Sequence, residues 1–288
     1  MKINYIHGRG RSTDLISKPG AAPYIAIRPF SEFDHIISAF STRLGGVSSS
    51  IYESMNLAGN RGDDPENVRK NFEIIGRTLG VPAENMVYAH QTHTSNVMRV
   101  TKEHRGMGII KERGFSDVDA LITNEPGLCL VTGHADCLPL YFIDRESGAI
   151  GLAHAGWKGT AGNIAGNVIR MMGEEFGTKP KDVTAFIGPG ICRDHYEVGE
   201  DVASKFRGIY GEVKEARVLK AKPSDGDEPK YLLNLHMANY YNMTAAGLAM
   251  EDIYISDVCT FCNPGLFFSH RYTKGQRGGM CAFLMIRE

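Results

Sequence analysis

The segment from His134 to Gly159, HADCLPLYFIDRESGAIGLAHAGWKG, constrains the fold more than any other stretch of the chain. Two apolar runs, LPLYFI and AIGLAHA, flank Asp-Arg-Glu-Ser-Gly, whose leading Asp and trailing Gly suit a tight turn. The runs are therefore predicted to pair as an antiparallel hairpin. A turn centred near Arg145 and Glu146 sets opposite one another residues whose numbers sum to about 291, as those of Cys137 and His154 do. Opposed Cβ atoms in such a ladder lie about 4.5–5.5 Å apart, close enough for a thiolate and an imidazole to share a metal or a proton. Both residues also stand where a strand meets polar or glycine-rich chain, a common place for ligands in α/β proteins. Either residue alone reads as buried core; the pair, at a strand mouth, reads as a site.

Further short apolar runs recur as YIAI, VMRV, DALIT, CLVTG, VTAFIGP, DIYISDV and CAFLMI, interleaved with helical patterns over residues 65–79, 162–176, 201–210 and 234–249. The first helix has a defined start: Asp63 or Asp64 can cap it, Pro65 suits its first position, and Val68, Phe72, Ile75 and Leu79 follow at helical spacing. This alternation predicts a mixed α/β (α+β) chain with sheets flanked by helices. The stretch KAKPSDGDEPK, residues 220–230, is read as a polar surface loop rather than a boundary, so one domain is expected over residues 1–288.

Composition narrows the function. With Lys+Arg 32 against Asp+Glu 33, no basic excess favours a nucleic acid or an anionic membrane. No stretch approaches the roughly 20 apolar residues that span a bilayer, and the amino terminus lacks the apolar core of a secretory signal. A cytoplasmic protein acting on a small substrate, as a monomer or homodimer, is expected. Six cysteines in 288 residues, mostly in apolar or motif-like settings, are poor material for a disulfide framework.

A third candidate ligand comes from AHQTHTSNV, where His90 and His93 stand in a polar patch before an apolar strand. His93 is nearer the strand start, and spacing leaves His90 open as a neighbour of the site. Cys259-Thr-Phe-Cys262 has CxxC spacing, but neither a second CxxC nor a suitable histidine pair completes a zinc knuckle, so a structural role is expected. His195-Tyr-Glu197 matches half of the nucleic-acid deaminase pattern without the Pro-Cys-x-x-Cys half and is set aside.

The ordered motifs STRLGGVSSSIYESMNL, NRGDDPENVRKN, HQTH, DVDALIT, HADCLPL, HAGWKGT, IGPGIC with HYEVG, and CTFC with FFSHR resemble the YfiH-like family, also called the polyphenol-oxidase or laccase-domain family, over nearly the whole chain. The resemblance implies a YfiH-like fold with zinc bound by His93, Cys137 and His154. Three ligands leave a fourth tetrahedral position open, as in catalytic rather than structural zinc sites, and such zinc can activate water or polarise a leaving group. It also implies phosphorolysis of adenosine, inosine, guanosine and methylthioadenosine, and deamination of adenosine, with a purine nucleoside and phosphate as partners. Arg43, Arg61, Lys158, Arg271 and the helix start after Gly159 are candidates for holding phosphate. Asp136, His90 and His270 remain open as the group that protonates the purine, and His134 and Lys158 are weak candidates for chemistry.

Three readings compete. A His₂Cys set also suits copper, although a multicopper oxidase needs further closely spaced histidines and the chain has no His-x-His. Cys137 with His154 as its base would serve a cysteine hydrolase, a reading encouraged by the likeness of the family's fold to a deamidating toxin domain. Zinc could instead staple a non-enzymatic binding module.

Overall fold

The computed structural model describes residues 3–6, 10–59, 61–223 and 228–288. Within them run the strands β1 (Thr13–Ile16), β2 (Tyr24–Ile27), β3 (Ile36–Ser41), β4 (Met86–Tyr88), β5 (Val97–Arg99), β6 (Ala120–Thr123), β7 (Cys129–His134), β8 (Leu138–Asp144), β9 (Ile150–Ala155), β10 (Val183–Ile187), β11 (Glu197–Val198), β12 (Leu219–Lys222), β13 (Lys230–Leu233), β14 (Ile253–Ile255) and β15 (Met280–Ile286). The helices are α1 (Pro65–Leu79), α2 (Trp157–Ala161), α3 (Ile164–Phe176), α4 (Glu200–Ala203), α5 (Glu212–Val218), α6 (Leu235–Ala245) and α7 (His270–Thr273).

Two six-stranded sheets dominate, ordered β1-β2-β3-β15-β7-β4 and β14-β10-β8-β9-β6-β5, with a small sheet β11-β13-β12 beside them. Strand alternation divides the apolar residues into three layers. Phe40, Leu130, Ala282 and Leu284 of the first sheet share a core with Leu121, Tyr141, Ile143, Leu152 and Phe186 of the second. The outer face of the second sheet, with Leu140, Phe142 and Ala185, packs on α3 and α6 through Val168, Met172 and Ala238. That of the first, with Ala39, Val131 and Phe283, packs on Val68, Phe72 and Ile75 of α1. The result is a helix–sheet–sheet–helix sandwich. It explains why β8 reads as a continuous apolar run: both its faces are buried. The Tyr141 hydroxyl crosses the central layer to donate to the Ala39 carbonyl at 3.0 Å.

The mixed α/β architecture and all nine expected strand segments are present. Helix α1 begins where expected, with Asp64 accepting from the Glu66 N–H while Asp63 binds Ser48 and Asn56. Three expectations are corrected. The pattern at 201–210 is helical only over Glu200–Ala203, followed by turns, and α5 begins afterwards. The segment at 162–176 is divided: Asn163 adopts φ 56° and caps α3, separating it from the short α2. The stretch expected as a loop over 220–230 is strand at both ends, Lys220 to Lys222 belonging to β12 and Lys230 to β13, with Lys222 facing Lys230; residues 224–227 lie outside the described residues.

The hairpin register is also corrected. Leu138 pairs with Ala155 and Pro139 with His154, so His154 faces Pro139 rather than Cys137. The turn sits later than expected because Asp144 closes it: its carboxylate accepts from the N–H groups of Glu146 and Ser147, and Gly148 takes φ 70°. A two-residue shift preserves the face on which each side chain lies, so Cys137 and His154 become diagonal neighbours on the same side of the sheet.

Candidate metal centre and substrate cleft

The site forms where the apolar layer between the two sheets ends. Along β7 the inward positions run Leu130, Thr132, His134; along β9 they run Ile150, Leu152, His154. The chain passes from one sheet to the other through Ala135-Asp136-Cys137, which delivers the Cys137 thiol to His154 while the Cys137 carbonyl meets His134. His93 comes from the loop between β4 and β5, and the ligand atoms of His93, Cys137 and His154 all lie within 4.8 Å of one another. His90 is outside this group, so the structure places His93, not His90, with the other two.

Each residue of His90-Gln91-Thr92-His93-Thr94 helps hold the loop. His90 Nδ1 accepts from the Asp117 N–H at 3.2 Å, and the Gln91 amide exchanges two 2.7 Å bonds with the Gly133 backbone, extending the edge of β7. Thr92 donates its hydroxyl to Asp117. His93 itself adopts φ 65°, a left-handed conformation rare outside glycine, held by its surroundings.

Asp119 organises the centre, and the sequence reading did not single it out. Its fully buried carboxylate accepts from the backbone N–H groups of Thr92, His93 and Thr94, from the Thr94 hydroxyl, and from His154 Nδ1 at 2.8 Å. Burial acts to raise its pKa, but the His154 and Thr94 bonds prevail and hold it below the ordinary carboxylate value. With Nδ1–H donated to Asp119, His154 keeps Nε2 for Cys137 or a metal, the arrangement by which carboxylates orient metal-binding histidines. The sequence signal was an acid within the apolar stretch DVDALIT.

The donors suit a metal ion. Burial pushes the Cys137 thiol up, yet the His154 and His93 rings outweigh it and hold its pKa down to about 6. Burial lowers His154, but the Cys137 thiolate and Asp119 raise it to about 9. A deprotonated thiol at neutral pH is what a metal requires. Gly156 leaves the room: a Cβ there would lie 3.0 Å from both Cys137 Sγ and His93 Cδ2. Two imidazoles and one thiolate suit zinc and copper alike.

These groups open into a cleft of about 420 Å³, within the size range of small-molecule sites. Of the expected phosphate-binding residues, Arg61 lines it. Arg43 is placed elsewhere, donating to the carbonyls of Glu53 and Pro264 and stacking on Phe268. Arg271 donates to the Glu197 carbonyl and lies over Tyr196, while exposed Lys158 lies over Trp157. Arg113 and Arg277, not selected from sequence, line the cleft instead. His90 lines it as well, whereas Asp136 and His270 do not. Both Asp136 oxygens accept bonds, from the Thr260 hydroxyl and the Arg271 N–H. His134 is a cleft wall held neutral, because burial and the His154 charge keep its pKa well below the usual histidine value; it bonds Thr132 and the Cys137 carbonyl.

The residues set aside at Cys259, Cys262 and His195 do come together, with Cys192 as a fourth member. The completing pair is Cys192-x-x-His195, a mixed spacing that a search for a second CxxC passes over.

Fold and site together define a mixed α/β sandwich with a His₂Cys centre at the mouth between its two sheets. The chain belongs to the family described as multi-copper polyphenol oxidoreductase laccase, whose model matches residues 37–287. It is 36% identical over 257 residues, 89% of this chain and 92% of the relative, to purine nucleoside phosphorylase YlmD of Geobacillus stearothermophilus. It is 32% identical over 237 residues, 82% of this chain and 88% of the relative, to adenosine deaminase RL5 of an unknown prokaryotic organism. The crystal structure of the Bacillus licheniformis hypothetical protein YfiH superposes with a TM-score of 0.86 at 30% identity, covering 95% of this chain and 99% of that one. Among the described residues no helix is long and apolar enough to cross a membrane.

Proposed function

We propose that the protein is a zinc-dependent purine nucleoside phosphorylase, acting on adenosine, inosine, guanosine or methylthioadenosine. Phosphate attacks the anomeric carbon of the ribose, the glycosidic C–N bond breaks, and its electron pair leaves with the purine, which takes up a proton. The products are ribose 1-phosphate and free base.

The observation that carries this reading is Arg277. It is only 8% exposed, and its Nε has no hydrogen-bond partner among the described residues. Burial, aided by the charge of Arg61, brings its pKa down to about 10. A buried cation with an unused donor, in the lining of the same cleft as a second cation, calls for an anion, and phosphate supplies both charge and acceptors. Arg113 is already engaged with the Tyr88 carbonyl and ring. The names of the relatives support a nucleoside as the second substrate.

His93, Cys137 and His154 would hold the zinc, which when bound supplies electrophilic stabilisation of developing negative charge or activation of water. Asp119 fixes the ligating nitrogen of His154, and Gln91 fixes the loop that carries His93. His90 is the favoured hydrogen-bond donor to the departing purine, whose proton comes from the attacking hydrogen phosphate: its Nδ1 accepts from the backbone, so the neutral ring carries its N–H on Nε2, and the ring lines the cleft.

The test is to incubate the protein with inosine, with and without phosphate, and separate the products. Hypoxanthine and ribose 1-phosphate formed only with phosphate are expected; no phosphate-dependent cleavage would refute the reading. The deaminase relative favours a second activity at the same centre, conversion of adenosine and water to inosine and ammonia without phosphate. The Cys137–His154 pair would equally suit a cysteine hydrolase, but the nucleoside chemistry in the relatives' names favours the metal reading.

A further inference from the structure

We infer that Cys192, His195, Cys259 and Cys262 form a second metal site, a Cys₃His zinc centre separate from the cleft. The four ligand atoms lie within 4.8 Å of one another. His195 Nδ1 is 3.1 Å from Cys192 Sγ and 3.5 Å from Cys262 Sγ, separations near those of donors around one tetrahedral zinc with Zn–S of about 2.3 Å and Zn–N of about 2.0 Å. The His195 ring stacks on Phe261, centroids 4.2 Å apart and planes 22° from parallel, which holds Nδ1 toward the sulfurs. The Cys192 N–H donates to Cys259 Sγ at 3.2 Å, the type of backbone bond that supports a thiolate ligand.

The fold explains the convergence. Strands β10 and β14 are parallel neighbours, so both chains leave the sheet at the same end. One continues into Cys192-x-x-His195 and the other into Cys259-x-x-Cys262, with Gly190 bridged to Cys259 between them. A disulfide would use two sulfurs and leave the third thiol and the oriented imidazole without a role. Four soft or borderline donors with no open position match a structural zinc.

The same two loops hold the turn that delivers Cys137. The Ile191 N–H donates to the Asp136 carbonyl, and the Thr260 hydroxyl donates to the Asp136 carboxylate at 2.6 Å. The second zinc therefore fixes, from behind, the backbone that places Cys137 in the cleft.

The experiment is zinc stoichiometry on the full chain, purified under reducing conditions without added metal. The wild type should carry two zinc ions. His93→Ala should retain one, and X-ray absorption of that variant should show three sulfur neighbours and one nitrogen. The double variant Cys192→Ser with Cys262→Ser should also retain one, with a lower Tm and a single sulfur neighbour. Metal-free His93→Ala, or a mass showing a disulfide among Cys192, Cys259 and Cys262, would overturn the inference. If His93→Ala does not fold, the wild type alone decides: two zinc ions averaging two sulfurs each support the inference, and one zinc with a single sulfur refutes it.

Discussion

Asp119→Asn changes one atom type at the hub of the centre, and the consequences follow from counting donors. In the wild type, one carboxylate oxygen accepts from the His93 N–H and His154 Nδ1–H, and the other accepts from the N–H groups of Thr92 and Thr94 and the Thr94 hydroxyl. An amide oxygen can serve only one side. Turned toward Thr92 and Thr94, it leaves the His93 N–H orphaned and sets its NH₂ against His154, which must then accept on Nδ1 and carry its proton on Nε2. Turned toward His154, it orphans two backbone N–H groups, those of Thr92 and Thr94. These N–H groups are part-buried, so each orphan costs at most about 1–3 kcal/mol, the cost of a fully buried donor, and the orientation with fewer orphans prevails. The predicted stability loss is that of one orphan, a Tm drop of at most about 12 °C at about 2–4 °C per kcal/mol. The larger effect falls on the metal, because Nε2 is the nitrogen left for it. Loss of such an orienting partner weakens metal binding about 10–100-fold, or roughly 1.4–2.7 kcal/mol. The assay is the free zinc concentration that restores half of the nucleoside turnover to chelator-stripped protein, with Tm measured in parallel. A folded variant whose zinc requirement stays within twofold of wild type would refute the assignment of Asp119 as the group that sets the His154 tautomer.

Other outcomes follow from the same geometry. Gly156→Ala introduces a methyl 3.0 Å from Cys137 Sγ and His93 Cδ2 at a φ of −77° that alanine tolerates, so zinc binding should weaken at least tenfold while circular dichroism is unchanged; unaltered zinc affinity would contradict the packing argument. Arg277→Met should raise KM for phosphate about 10–100-fold, the worth of a charge-assisted bond, without lowering Tm in phosphate-free buffer, because the lost cation is opposed by burial and by Arg61. An unchanged KM would remove Arg277 from the anion site. In metal-free protein, alkylation at Cys137 should rise with pH through a midpoint of about 6, since the thiolate is the reactive form and its folded pKa is depressed; zinc should suppress it, and a midpoint near the ordinary thiol value would refute the ion pair.

The sequence made the hairpin and the parity of its faces legible because both depend on the two-residue period of a strand, which survives an error of two in register. The start of α1 was legible for a local reason, a capping Asp followed by Pro. Of the arginines that line the cleft, Arg61 was legible and Arg113 and Arg277 were not. Whether an arginine faces a cleft or binds a carbonyl depends on contacts such as that of Arg43 with Pro264, more than 200 positions away in sequence. Asp119 was hidden for the opposite reason: its partners at Thr92 to Thr94 are near in the chain, but its task appears only when β6 lies beside β9 and brings His154 to it. The Cys₃His group needed the parallel pairing of β10 with β14, which no local pattern announces.

Under the proposed function, turnover depends on a metal held by His93, Cys137 and His154, and His93→Ala tests that dependence most directly. In protein of measured metal content, the variant should lose one zinc equivalent together with phosphate-dependent cleavage of inosine, while its circular dichroism remains that of the wild type. A folded, zinc-depleted variant that still cleaves inosine at the wild-type rate would contradict it.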